Sequence, residues 1–163
     1  MRVKLDDIDW KIIDILQSEG RITNVDLAQR VGISAPPCLR RVRALEEQGV
    51  LRGYHADVDQ GQLGYDVTVF AMVGLHSQAE ADLMAFRGHV DAWPMVREAH
   101  MLSGEVDFIL KCVAPDLDTF QRFVIDDLTA TPNVSSVRTS LALRQSKFAP
   151  GVPGPPERNQ RTA

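Results

Sequence analysis

Arg40, Arg41 and Arg43 stand within four positions of one another, and the run from Ala35 to Leu45 around them holds no acid. A guanidinium carries five donors in a fixed fork, so arginines on one exposed helix can grip phosphates or take the O6 and N7 acceptors of guanine in the major groove. The same three residues would make only a solvated helix face if nothing positioned them. On a wheel of about 100° per residue, Cys38, Val42 and Leu45 gather on one side of the segment and Pro36, Arg40, Arg43 and Glu47 on the other. Arg41 falls on the flank, suited to a phosphate or to a structural ion pair.

The residues before the arginines supply a scaffold for them. In Leu27-Ala28-Gln29-Arg30-Val31-Gly32-Ile33-Ser34, a small Ala28 lets a second helix approach and Gly32 suits the left-handed end of a helix. Ser34 is placed to cap the next helix. Pro36 and Pro37 then fall in a first turn, where absent N–H groups do no harm. Thr23 can cap the preceding helix. Upstream, Leu5, Ile8, Ile12, Ile15 and Leu16 recur at helical spacing, with Asp6 and Asp7 at the positive end of the helix dipole. Three helices around a small core are expected, and Val50–Val58 reads as a strand or hairpin in the position of a wing. A helical dimerisation module is the other use of such a unit.

Past a polar, Gly-bearing boundary at 59–66 the pattern changes. Strands are expected at Val67–Leu75, Met95–Leu102, Val106–Ala114 and Val134–Leu143, and helices at Ala79–Val90 and Leu117–Leu128. This βαββαβ order is that of a ferredoxin-like unit, and the whole chain is α+β. Asp116 is a cap for the last helix, whose stripe of Leu117, Phe120, Phe123, Val124 and Leu128 is expected to pack on the sheet. The expected division is a DNA-binding domain at 1–58, a linker at 59–66, a ferredoxin-like domain at 67–148 and a disordered tail, rich in Pro and Gly, at 149–163.

Composition narrows the chemistry. The 163 residues are 44% hydrophobic with a net charge of −4, but residues 1–52 carry a net +1 and residues 53–163 a net −5. A locally basic surface on an acidic protein implies modest, salt-sensitive affinity per module and the use of several modules together. Two cysteines, Cys38 and Cys112, and four scattered histidines, His55, His76, His89 and His100, form no metal-ligand spacing. No apolar run spans a membrane and the N-terminus has no signal-peptide core, so a cytoplasmic protein is expected.

Several spaced motifs together carry a family resemblance. They include Leu5-Asp6-Asp7-Ile8-Asp9, Gly20-Arg21-Ile22, Pro37-Cys38-Leu39, Gly53-Tyr54, Ser103-Gly104-Glu105-Val106-Asp107-Phe108 and Pro132-Asn133-Val134. Over roughly Leu5–Lys147 the chain resembles the leucine-responsive (Lrp/AsnC, feast/famine) transcription factors. That resemblance implies a winged helix-turn-helix joined to a ferredoxin-like domain, often called RAM, that binds small amino acids between subunits. It implies a regulator of transcription and no enzyme: a homodimer that assembles to an octameric ring on double-stranded DNA, with no cofactor beyond an amino acid effector. The expected DNA-facing set is Asn24, Ser34, Ala35, Pro36, Pro37, Arg40, Arg41 and Arg43. The expected effector set is Met101, Ser103, Gly104, Glu105, Val106 and Asp107, faced by Ser140 and Leu141 of the last strand.

From the residues alone, Gly104 lets a ligand approach the backbone, neighbouring N–H groups suit an α-carboxylate, and Glu105 or Asp107 suits an α-ammonium. An ordinary Gly-acid hairpin turn at a subunit contact has the same sequence. The turn departs from the common family form Gly-Asp-Tyr/Phe-Asp in having Glu105 for Asp and Val106 for the aromatic ring, so leucine is not implied as effector. Two other functions fit the scaffold: a decarboxylase of the sirohaem type and an architectural DNA-binding protein that answers to no effector.

Overall fold

The computed structural model describes residues 3–155. The chain divides into two compact units, one running to Asp57 and taking in the described residues from Lys147 onward, the other spanning Val58–Ser146.

The first unit holds three helices, α1 (Asp7–Ser18), α2 (Asn24–Val31) and α3 (Ala35–Glu47). Asp6 starts α1 by accepting the N–H groups of Ile8 and Asp9, while the Asp9 side chain accepts the Asp6 N–H, so three otherwise orphan donors are satisfied. Thr23 caps α2 through the Asp26 N–H, and Gly32 ends it at φ 79°, a left-handed conformation that a Cβ would strain. Ile12, Ile13, Leu27, Ala28, Val31, Cys38 and Leu45 form the core, with Ala28 only 2% exposed at the α2–α3 crossing.

Two expectations for this unit change. The stretch at 50–58 contains no strand. The N–H groups of Val50 and Leu51 both bond to the Leu45 carbonyl and close α3, and residues 52–58 have no partner strand among the described residues. The wing position is an unpaired run, held by the Tyr54 hydroxyl donating to Glu46 at 2.9 Å. The described part of the expected disordered tail also has a partner. The Val152 N–H donates to Gln17 Oε1 at 2.6 Å and Gln17 Nε2 donates to the Val152 carbonyl at 3.2 Å, so this run lies along α1. Residues 156–163 of that tail lie outside the described residues.

The second unit contains β1 (Val67–Leu75), α4 (Glu80–Ala92), β2 (Val96–Met101), β3 (Phe108–Ala114), α5 (Leu117–Phe123) and β4 (Val134–Leu141). The sheet is antiparallel in the order β2-β3-β1-β4, the ferredoxin-like arrangement. Val69, Ala71 and Val73 of β1 alternate with exposed or half-buried residues, as do Phe108, Leu110, Cys112 and Ala114 of β3. These inward residues meet Phe86 and Val90 of α4 and Phe120 and Phe123 of α5. Aromatic rings join the layers, with Phe86 4.8 Å from Phe108 and Trp93 5.2 Å from Phe123 between ring centroids.

Helix α5 runs into a π-helical turn at Val124–Leu128, closed by the Thr129 N–H on the Val124 carbonyl at 2.9 Å. The wider turn leaves Leu128 fully buried, whereas Leu117, expected on the same apolar stripe, is 46% exposed at the start of the helix.

Candidate nucleic-acid interface and effector turn

Helix α3 turns Cys38 and Leu45 inward and leaves Pro36, Arg40, Arg43 and Glu47 exposed, as the wheel predicts. The ion pairs of this unit are Arg30 with Glu19 and Arg41 with both Asp6 and Asp9. Among the described residues Arg40 and Arg43 therefore face outward unpaired.

Arg41 differs from its neighbours. Its Nη1 donates to Asp6 at 2.8 Å and to Asp9 at 2.7 Å. The Asp9 N–H first and the Arg41 guanidinium second hold the Asp6 carboxyl below its ordinary range, while Asp9 and then Asp6 raise Arg41. Of the two uses open to it from sequence, the geometry supplies the ion pair, which joins the start of α1 to the flank of α3.

Ser34 occupies the cap position of α3 but makes no capping bond. A capping hydroxyl accepts from the second or third residue of the helix; here those are Pro36 and Pro37, which have no N–H. The first N–H able to respond, that of Cys38, bonds to the Ser34 carbonyl at 3.2 Å. Asn24 ties the two helices together, its Nδ2 donating to the Ala35 carbonyl at 2.9 Å while its buried Oδ1 has no partner.

In the second unit, Met101 ends β2, and Ser103, Gly104 and Glu105 are exposed in the turn before β3. A Cβ at Gly104 would meet nothing within 4 Å, so the space over the turn is open. Asp107 departs from expectation. It is 8% exposed, and both carboxylate oxygens are engaged: Oδ2 accepts the Leu75 N–H at 2.6 Å and Oδ1 accepts Gln78 Nε2 at 2.7 Å. Its own N–H bonds to the Val73 carbonyl and its carbonyl accepts the Leu102 N–H. Asp107 therefore anchors the turn to β1, which leaves Glu105 as the exposed acid.

Ser140 and Leu141 are not brought to this turn within one chain. They pair with Phe70 and Val69, whereas the turn sits at Val73, whose neighbour on β4 is Val137. Three residues of strand separate the two places, about 10 Å. Met101 also borders an open groove of about 550 Å³ between α4 and β2, lined by Arg87, Asp91, Trp93 and Arg97 among others. Sequence reasoning missed Gln78, which lies 29 residues from the acid it binds. It also missed the Ser77–Asn133 clasp, in which Asn133, at φ 71°, exchanges two side-chain hydrogen bonds of 2.9 Å with the Ser77 backbone. The signal for the second was the Pro132-Asn133 pair, since Asn tolerates the left-handed conformation.

Comparison with known proteins bears on both regions. A winged helix-turn-helix DNA-binding model matches residues 5–52, and a model described as the Lrp/AsnC ligand binding domain matches residues 68–152. The leucine-responsive regulatory protein of Rhizobium meliloti is 61% identical over 149 residues, covering 91% of this chain and 96% of that protein. The chain belongs to the Lrp/AsnC family. The Bkd operon transcriptional regulator of Pseudomonas aeruginosa is 38% identical over 141 residues, covering 86% of this chain and 92% of that protein. A Neisseria meningitidis transcriptional regulator solved as an L-Met complex has a TM-score of 0.87 and 34% identity, covering 92% of this chain and 97% of that one. These relatives are regulators of transcription, and so is this Lrp/AsnC chain; the decarboxylase alternative finds no support among them. No helix among the described residues is long and apolar enough to cross a membrane.

Proposed function

We propose that this regulator reads double-stranded DNA through the exposed face of α3 and changes its hold on DNA when a small amino acid binds its ferredoxin-like unit. The observation that carries the reading is the outward, unpaired presentation of Arg40 and Arg43 on a helix fixed by three separate ties: Asn24 to Ala35, Arg41 to Asp6 and Asp9, and the packed Cys38 and Leu45. Arg40 and Arg43 contact bases or phosphates, and the run Ser34–Pro37 leads α3 toward the groove.

The effector binds over the exposed turn Ser103–Glu105, with the backbone taking the carboxylate and Glu105 the ammonium. The L-Met complex of the Neisseria relative supports an amino acid as the chemical class. Val106 in place of a ring leaves the side-chain preference of this chain its own. Ser140 and Leu141 reach such a site only from another subunit, which supports an oligomer. The helices cover one face of the sheet, and the other shows Phe70, 37% exposed, beside half-buried Met72, Ile109 and Val113. A second copy covers this face in a homodimer, and dimers assemble further into an octamer in the cytoplasm.

The test titrates the full chain against DNA from its own upstream region at fixed salt, with scrambled competitor and with each of the twenty amino acids. Selective binding that one amino acid shifts is the expected result, because an effector can move the equilibrium only by binding one state better. Binding no better than to scrambled DNA refutes the proposal. Selective binding that no amino acid shifts refutes the effector half of it.

A further inference from the structure

The first turn of α3 is unusual for a helix that meets DNA. Helix N-termini commonly hold phosphate through free N–H groups, but Pro36 and Pro37 have none and the Cys38 N–H is committed to the Ser34 carbonyl. What this turn presents instead is carbon. Pro36 is exposed, and one turn on, Leu39 is 39% exposed on the flank of the helix, about 100° round from the buried Cys38. At 100° per residue Leu39 stands about 40° from Arg43, about 60° from Pro36 and about 100° from Arg40, at the Arg43 edge of the exposed face.

An isolated exposed leucine needs no explanation. Beside Arg43 at the edge of a base-reading face it has one specific counterpart, since the C5 methyl of thymine is the apolar feature of the major-groove edge. The residues of a recognition helix that reach base edges lie in its N-terminal part, and Leu39 is the fifth residue of α3. We infer that Leu39 is a specificity-determining residue that reads a thymine methyl beside the position contacted by Arg43. This rests on α3 being the recognition helix, as proposed above.

The experiment selects binding sites for the full chain from a random duplex library, then replaces each thymine of the selected site by uracil, which removes only the methyl. At one position in each half-site the affinity is expected to fall about threefold to fivefold, the effect of leaving one methyl group unburied. Leu39→Ala abolishes that penalty, whereas Leu39→Met, which keeps an apolar tip, and Arg43→Ala retain it. Uracil tolerated at every position, or a penalty that survives in Leu39→Ala, overturns the inference while leaving the DNA-reading function standing. Failure of the library to yield any selective site overturns both.

Discussion

Removing the Asp107 carboxylate tests how the turn before β3 is held. The sheet register between β1 and β4 shifts between Gly74 and Leu75, and the Leu75 N–H bonds to Asp107 at 2.6 Å. Leu75 is 8% exposed, so Asp107→Ala strands a buried donor, at a cost of about 1–3 kcal/mol. The Gln78 bond adds little, because Gln78 is exposed and water replaces the lost acceptor. A loss of about 2 kcal/mol is therefore expected for Asp107→Ala. Asp107→Asn keeps an oxygen for the Leu75 N–H and, once Gln78 turns its amide, a donor for Gln78, so its loss is expected to stay under about 1 kcal/mol. The two tryptophans, Trp10 and Trp93, fall one in each unit. Urea unfolding followed by Trp93 fluorescence in a Trp10→Phe background, at one protein concentration, isolates the second unit. An Asp107→Ala protein as stable as the parent, or an Asp107→Asn protein as damaged as Asp107→Ala, refutes the assignment of Asp107 as the anchor.

The first unit and helix α5 give further expected outcomes. Thr23→Ala removes a working cap and is expected to cost about 1 kcal/mol in thermal or urea unfolding, whereas Ser34→Ala, with no N–H to lose, stays within about 0.3 kcal/mol of the parent. Arg43→Ala weakens DNA binding and, where Arg43 holds a phosphate, flattens the log–log salt dependence by about 0.9; Arg41→Gln leaves that slope unchanged and lowers the melting temperature, because its charge is held by Asp6 and Asp9. The capping bond from the Thr119 N–H holds Asp116 below the ordinary carboxylate range, so its support of α5 is complete above that range and is lost as pH falls through the lowered value. An acid titration by circular dichroism is expected to show Asp116→Asn, which caps without titrating, less sensitive to acid than the parent.

The features legible in the sequence were those whose causes lie within a few residues. Thr23, Ala28 and Gly32 each act on their own turn or on the adjoining helix, and the α2–α3 joint forms as those residues imply. The strand and helix order of the second unit was legible for the same reason, with β1 falling at Val67–Leu75. Ser34 shows where local rules collide: a capping serine and two helix-starting prolines are each sound, yet together they remove the donors the serine needs. The role of Asp107 was illegible because the donor it serves arises from a register shift 32 residues away. The strand expected at Val50–Val58 is absent because strand propensity forms no strand without a partner. The Gln17–Val152 pair was illegible because composition reports only what a segment cannot bury, not which distant side chain offers it a hydrogen bond.

The paired prolines of α3 also act on the chain before it folds. Each ring fixes φ near the helical value, so the disordered chain has fewer conformations to lose at Pro36 and Pro37, a gain of roughly 0.4–1 kcal/mol per site where the native geometry accepts the ring. The start of the DNA-facing helix is thus written into covalent bonds. Competing hydrogen-bond donors, urea or an anion that would unpick an ordinary capped turn find no cap there to displace. The geometry that sets Arg40 and Arg43 toward a groove is in this way partly prepaid in the unfolded ensemble, and the serine released from capping keeps its hydroxyl free.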